Sequence, residues 1–100
     1  MTHTDQQTQY LNTLRLFQQE YGAKYGITRM GIFGSVARGE STEESDVDVV
    51  LEAPVMDLFS LIGIKQDLEE MMNVPVDVVF NSKHMPKKFK ARIEKEVVYV

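Results

Sequence analysis

The chain has 100 residues, 43% of them hydrophobic and 26% charged, with no cysteine and a formal net charge of −4. That composition excludes a disordered or fibrous chain, a disulfide framework and a thiolate metal site. The length suits one domain over residues 1–100, and the acidic balance argues against direct nucleic-acid binding, which calls for a basic face.

The polar opening MTHTDQQTQ carries no apolar signal core, and no apolar run approaches the ~20 residues of a membrane span. A cytoplasmic protein with no membrane association is expected. The first predicted element is a helix from about Asp5 to Tyr21. Tyr10, Leu14, Phe17 and Tyr21 recur at helical spacing and form a stripe suited to core packing. Thr4 and Gln7 have the spacing of a capping box, and Gly22 is the expected helix end.

A strand follows in ITRMGIF, with Ile27, Met30, Ile32 and Phe33 as its apolar content, and it runs directly into Gly34-Ser35. Residues 36–45 are mostly polar after a Val-Ala pair, which leaves room for a short helical turn and a loop. The valine-rich stretch Asp46 to Glu52 reads as a buried strand. Pro54 ends it and is expected to open a helix in which Leu58, Leu61, Ile62, Lys65, Leu68 and Met72 keep a helical period, closed by Asn73. PVDVVF is a third strand, a third full helix begins near Pro86, and VVYV is the last strand. This alternation predicts an α/β (α+β) domain, a small mixed β-sheet with helices packed on one face.

Residues 1–80 hold 5 Lys/Arg against 13 Asp/Glu, whereas residues 81–100 hold 6 against 2. The basic stretch Lys83, His84, Lys87, Lys88, Lys90, Arg92 and Lys95 reads as a solvated helix face with Phe89 and Ile93 turned inward; an acidic partner or nucleic acid is the alternative. His3 and His84 have no second imidazole or cysteine at ligand spacing and are not read as metal ligands.

The chemistry is concentrated in GSVARGE and SDVDVV. Strand side chains alternate, so Asp46 and Asp48 share a face while Val47 and Val49 enter a core. Two adjacent carboxylates repel, and keeping both ionised calls for a cation. Hard oxygen ligands suit Mg²⁺, which takes one or two carboxylates plus phosphate oxygens and water. Asp77, in another valine-rich strand, completes a triad if the two strands are neighbours; two ions could then clamp an in-line displacement at phosphorus. Gly34 lets the backbone approach a phosphate, Ser35 adds a hydroxyl donor, and Arg38 either reaches a phosphate or forms a surface ion pair.

GSVARGE, then SDVDVV, then VDVV resembles the pattern of the polymerase-β-like nucleotidyltransferase superfamily: G-S-x-x-x-G, D-x-D and a later D. Length and layout are most similar to its smallest members, the minimal nucleotidyltransferases (MNT). The resemblance implies their fold, with ATP as substrate and Mg²⁺, two ions or in its place Mn²⁺, as cofactor. It implies Gly34 and Ser35 as the triphosphate-binding turn, beside which Arg38 stays a candidate phosphate ligand on its residue chemistry alone. Asp46, Asp48 and Asp77 are then the metal-binding and catalytic carboxylates, with Asp77 suited to activating the acceptor hydroxyl. It also implies a partner, a HEPN-domain ribonuclease toxin, with the MNT as antitoxin transferring AMP to a toxin tyrosine. The alternatives are an antitoxin acting by occupancy alone, and transfer to a small-molecule or RNA acceptor. The few residues after Asp77 leave little for gripping a free acceptor, which favours a protein acceptor held by docking.

Overall fold

The structure, a computed structural model, describes residues 3–42 and 44–100, and of residues 3–5 only the backbone. Among the described residues, helices and strands follow in the order α1 (His3–Tyr25), β1 (Arg29–Phe33), α2 (Gly34–Ala37), β2 (Val47–Glu52), α3 (Leu58–Met72), β3 (Val76–Phe80), α4 (Lys87–Glu96) and β4 (Val98–Tyr99). The sheet order is β3-β2-β1-β4. β1 lies antiparallel to β2 and β4, and α3 carries the chain across to make β3 parallel to β2.

The stripe on α1 packs as its spacing predicts. Leu14 and Phe17 are fully buried, and Tyr10 and Tyr21 pack against the same cluster. The helix ends later than expected, because Gly22 continues it and Gly26 takes the left-handed conformation with φ +69°. The Ile27 N–H then donates to the Gly22 carbonyl at 2.8 Å and the Gly26 N–H to Ala23 at 3.3 Å, the paired bonds of a Schellman cap. The expected capping box rests on Thr4, whose side chain lies outside the described residues. Gln7 donates through its amide nitrogen to the carbonyls of Val36 and Ala37 at 3.1 and 2.9 Å. The start of α1 thereby holds the α2 turn in place.

Helix α3 begins at Leu58, not at Pro54, because Asp57 is its N-cap and accepts the Ser60 N–H at 2.7 Å. That phase turns Ile64, Leu68 and Met72 to the core with Leu61 beside them. Leu58 and Ile62 fall off the stripe and are exposed, together with Val55 and Phe59. Asn73 ends the helix at φ 58°, as expected.

Helices cover both faces of the sheet, where one face was expected. Ile32, Val47, Val49, Leu51 and Val76 pack under α1 and α3. The alternate residues Phe33 and Val50 pack with Ile93 of α4 on the other side, with Phe89 alongside. Adjacent buried residues such as Val49 and Val50 reflect this double cover. The candidate site lies on the α4 side.

Candidate active site

Strand register brings the acidic residues together. In β2 and β3 the paired positions are Asp48 and Asp77, and in β1 and β2 they are Phe33 and Asp48. Neighbouring strands lie ~4.8 Å apart, so the two carboxylates rise side by side at the point where the chain leaves β1 for Gly34. Asp48 is half-buried and Asp77 exposed, and Asp46 is exposed just ahead of β2 rather than within it. Burial pushes the Asp48 carboxyl above its ordinary range, and the charges of Asp77 and then Asp46 push it further. Arg92 and Arg38 act in the opposite sense from across the site.

Gly34 has two reasons to be glycine. Its φ is +75°, and a Cβ built on it would run into the Asp48 carboxylate, with Asp48 Cγ only 3.1 Å away. The backbone thus passes directly against the acidic group, and Gly34 is demanded by the protein before any ligand is considered. The α2 helix that follows has only four residues.

The Gly34 N–H is engaged. Glu96, in the last turn of α4, accepts it through Oε2 at 3.1 Å and receives Arg38 Nη1 on Oε1 at 2.9 Å. Burial alone would raise the Glu96 carboxyl, but the Gly34 N–H, Arg38 and the charge of Arg92 hold it below the usual range. Arg38 also donates to Glu40 at 3.1 Å, so of the two outcomes weighed for this residue the ion pair is the one seen, formed beside the turn.

Two clefts border the turn. One, of about 500 Å³, is lined by Phe33, Gly34, Asp48, Lys65, Asp77, Val78, Val79, Phe89 and Arg92. The other, of about 810 Å³, lies between α2 and α4 and is lined by Ala37, Arg38, Lys88, Ala91, Arg92, Lys95 and Glu96. The basic stretch is therefore split. Ile93 is buried and Phe89 half-buried as expected, while Lys88, Arg92 and Lys95 edge this second cleft.

Sequence reasoning missed the supports of this site. Lys65 Nζ bonds the Val76 carbonyl, and Glu69 Oε2 accepts the Val76 N–H at 3.0 Å and Lys65 at 3.2 Å. Together they satisfy the outer edge of β3 one residue before Asp77 and fix that strand's position. The i, i+4 spacing of Lys65 and Glu69 was visible as a helix pair, but not its reach to β3. Arg92 and Glu96 likewise show i, i+4 spacing, with nothing local to indicate Gly34 as a partner.

Among the described residues, no three His, Cys, Asp or Glu side chains are gathered as a complete metal cage. The donor set still fits Mg²⁺, which needs only one or two carboxylates and draws its other ligands from phosphate and water. The crowded, half-buried Asp48 is the group that would gain most from such a cation.

Residues 13–100 match the nucleotidyltransferase domain family. A relative from Methanocaldococcus jannaschii, named as a protein adenylyltransferase, is 36% identical over 87% of this chain and 90% of its own length. Protein adenylyltransferase MntA of Thermococcus cleftensis is 32% identical over 87% of this chain and 88% of its own. Among solved structures, a minimal nucleotidyltransferase superposes with a TM-score of 0.73 at 27% identity, covering 98% of this chain and 95% of that one. The tri-AMPylated Shewanella oneidensis HEPN toxin in complex with MNT antitoxin gives a TM-score of 0.66 at 16% identity, covering 91% of this chain and 70% of that one, a likeness of fold. The chain belongs to the nucleotidyltransferase domain family, as a minimal nucleotidyltransferase of the polymerase-β-like fold.

Proposed function

We propose that this chain transfers AMP from ATP to a tyrosine hydroxyl of a HEPN-domain toxin and so serves as its antitoxin. The observation that carries the reading is the pairing of Asp48 with Asp77 on parallel strands, against the Gly34 turn. The relatives named protein adenylyltransferases, and the likeness to an MNT antitoxin beside an AMPylated HEPN toxin, support the acceptor class. A cytoplasmic location accords with the cysteine-free composition.

In this reading the Gly34 N–H, the Ser35 hydroxyl and Arg38 hold the triphosphate. Asp46 and Asp48 would hold Mg²⁺, with Asp77 beside them. When bound, the ion would offset the carboxylate charge and polarise the phosphoryl oxygens. Asp77, exposed at the edge of the cleft, takes the proton of the acceptor hydroxyl. The hydroxyl oxygen bonds to the α-phosphorus, the bond to the α–β bridging oxygen breaks, and pyrophosphate leaves with that electron pair. A protein acceptor suits clefts that are open and shallow, because the partner's surface can close the site.

The test is to incubate the chain with ATP, Mg²⁺ and a HEPN-domain protein encoded beside it, then weigh that protein intact. AMP addition supports the proposal. Silencing of the toxin by stoichiometric binding, with no added mass, would replace it with an antitoxin that acts by occupancy.

A further inference from the structure

The amide and the guanidinium that the proposed function gives to the triphosphate are both already bound to an anion of the protein itself. Glu96 spans them, one oxygen on the Gly34 N–H at 3.1 Å and the other on Arg38 at 2.9 Å, with Arg92 at 3.5 Å from the latter oxygen. Its side chain is only 15% exposed, so the contact is built into the site rather than made at the surface. A carboxylate held by one backbone N–H and two guanidinium groups has the donor environment of a phosphate oxygen pair.

The neighbouring cleft supplies somewhere for that carboxylate to go. Its volume of about 810 Å³ opens beside Glu96, and its walls carry Lys88, Arg92 and Lys95 as well as Arg38. Four cations against one acid make a cleft that remains attractive to anions after Glu96 has taken its share. Glu96 can turn within it without leaving the positive field.

From this arrangement we infer that Glu96 is a resident competitor for the nucleotide, occupying the phosphate position in the free chain and setting how tightly polyphosphate binds. This rests on the proposed role of the Gly34 turn. Displacement works in three parts. The incoming phosphate oxygens take over the Gly34 N–H and Arg38, the Glu96 carboxylate turns toward Lys95 and solvent, and Arg92 is released toward the ligand. A ligand that binds only when Glu96 is out has its affinity lowered by the fraction of time Glu96 is in. That reduction is the same factor for every ligand that must use the turn, and no reduction applies to one that does not.

The experiment is isothermal titration of the full chain with a non-hydrolysable ATP analogue, inorganic triphosphate and adenosine, each with Mg²⁺. Native protein is compared with Glu96→Gln, Glu96→Ala and the control Glu94→Gln, whose side chain lies outside the cluster. Circular dichroism and melting confirm that each variant folds. The two Glu96 variants should bind the analogue and triphosphate more tightly by about tenfold or more, the scale of a hydrogen bond to a charged group. The factor should match for the two ligands, adenosine binding should not change, and Glu94→Gln should behave as native. If native protein binds the analogue while folded Glu96 variants bind it equally or more weakly, Glu96 is a strut for the turn and the inference is overturned. If no form binds either polyphosphate, the phosphate role of the turn falls, and this inference falls with it.

Discussion

Replacing Gly34 with alanine should cost more stability than the same change at another left-handed glycine, and the excess should come from Asp48. Gly34 and Gly39 have nearly equal angles, φ +75° and +72°, so both alanines incur the same left-handed strain of ~1–2 kcal/mol. Stiffening of the unfolded chain returns ~0.4–1 kcal/mol in each case. Their surroundings differ. A Cβ at Gly39 meets nothing within 4 Å, whereas one at Gly34 meets the Asp48 carboxylate. Overpacking of this kind adds ~1–3 kcal/mol, giving losses of about 1 kcal/mol at Gly39 and ~2–4 kcal/mol at Gly34. At about 5 °C per kcal/mol for 100 residues, the melting temperature should fall by ~5 °C and ~10–20 °C respectively. Differential scanning calorimetry of Gly34→Ala, Gly39→Ala, Asp48→Ala and the double variant Gly34→Ala/Asp48→Ala measures this directly. The double variant should recover the overpacking part as a coupling of ~1–3 kcal/mol. Equal losses at Gly34 and Gly39, or strict additivity with Asp48→Ala, would refute the close approach of turn and carboxylate.

Asp48→Asn should stabilise the ligand-free chain at neutral pH and weaken the gain in melting temperature from Mg²⁺-ATP. Burial and the neighbouring aspartates raise the folded-state pKa of Asp48 above its unfolded value. The folded chain therefore binds the proton more tightly, stability falls as pH rises from the unfolded value through the folded one, and the deficit is complete above it. A melting series across pH should show this falling limb in the native chain and lose it in Asp48→Asn. Gln7→Ala should cost ~1–2 kcal/mol in chemical denaturation, because it removes the shared donor of the half-buried Val36 and Ala37 carbonyls. A loss below ~0.3 kcal/mol would mean that water replaces Gln7 there.

What could be read from the sequence was what neighbouring residues decide among themselves. The Leu14–Phe17 stripe, the Asn73 helix end and the valine-rich strands depend on periods and dihedrals a few residues long, and the structure keeps them. Helix ends were harder where two signals competed. Gly22 and Gly26 both offer a stop, and the Ile27 N–H bond to Gly22 selects the later one. Pro54 and Asp57 both offer a start, and the Asp57 cap selects the later one. The pair Val49-Val50 held the information that both sheet faces are covered, but an alternating strand was assumed. At the site, Gly34, Asp48 and Asp77 announced themselves by residue type, and strand register places them together. Glu96 did not, because its partner Gly34 lies 62 positions away and a glutamate in a basic helix looks like an ordinary i, i+4 ion pair.

The most direct test of a nucleotidyl-transfer centre built on paired aspartates is single-turnover AMP transfer by Asp77→Asn, with ATP binding measured on the same preparation. Asp77 is exposed and outside both core clusters, so the variant should fold. Such a centre should keep near-native ATP affinity and transfer AMP more slowly by at least ~10²-fold, the loss expected when a general base is removed. Transfer at the native rate by Asp77→Asn would contradict it.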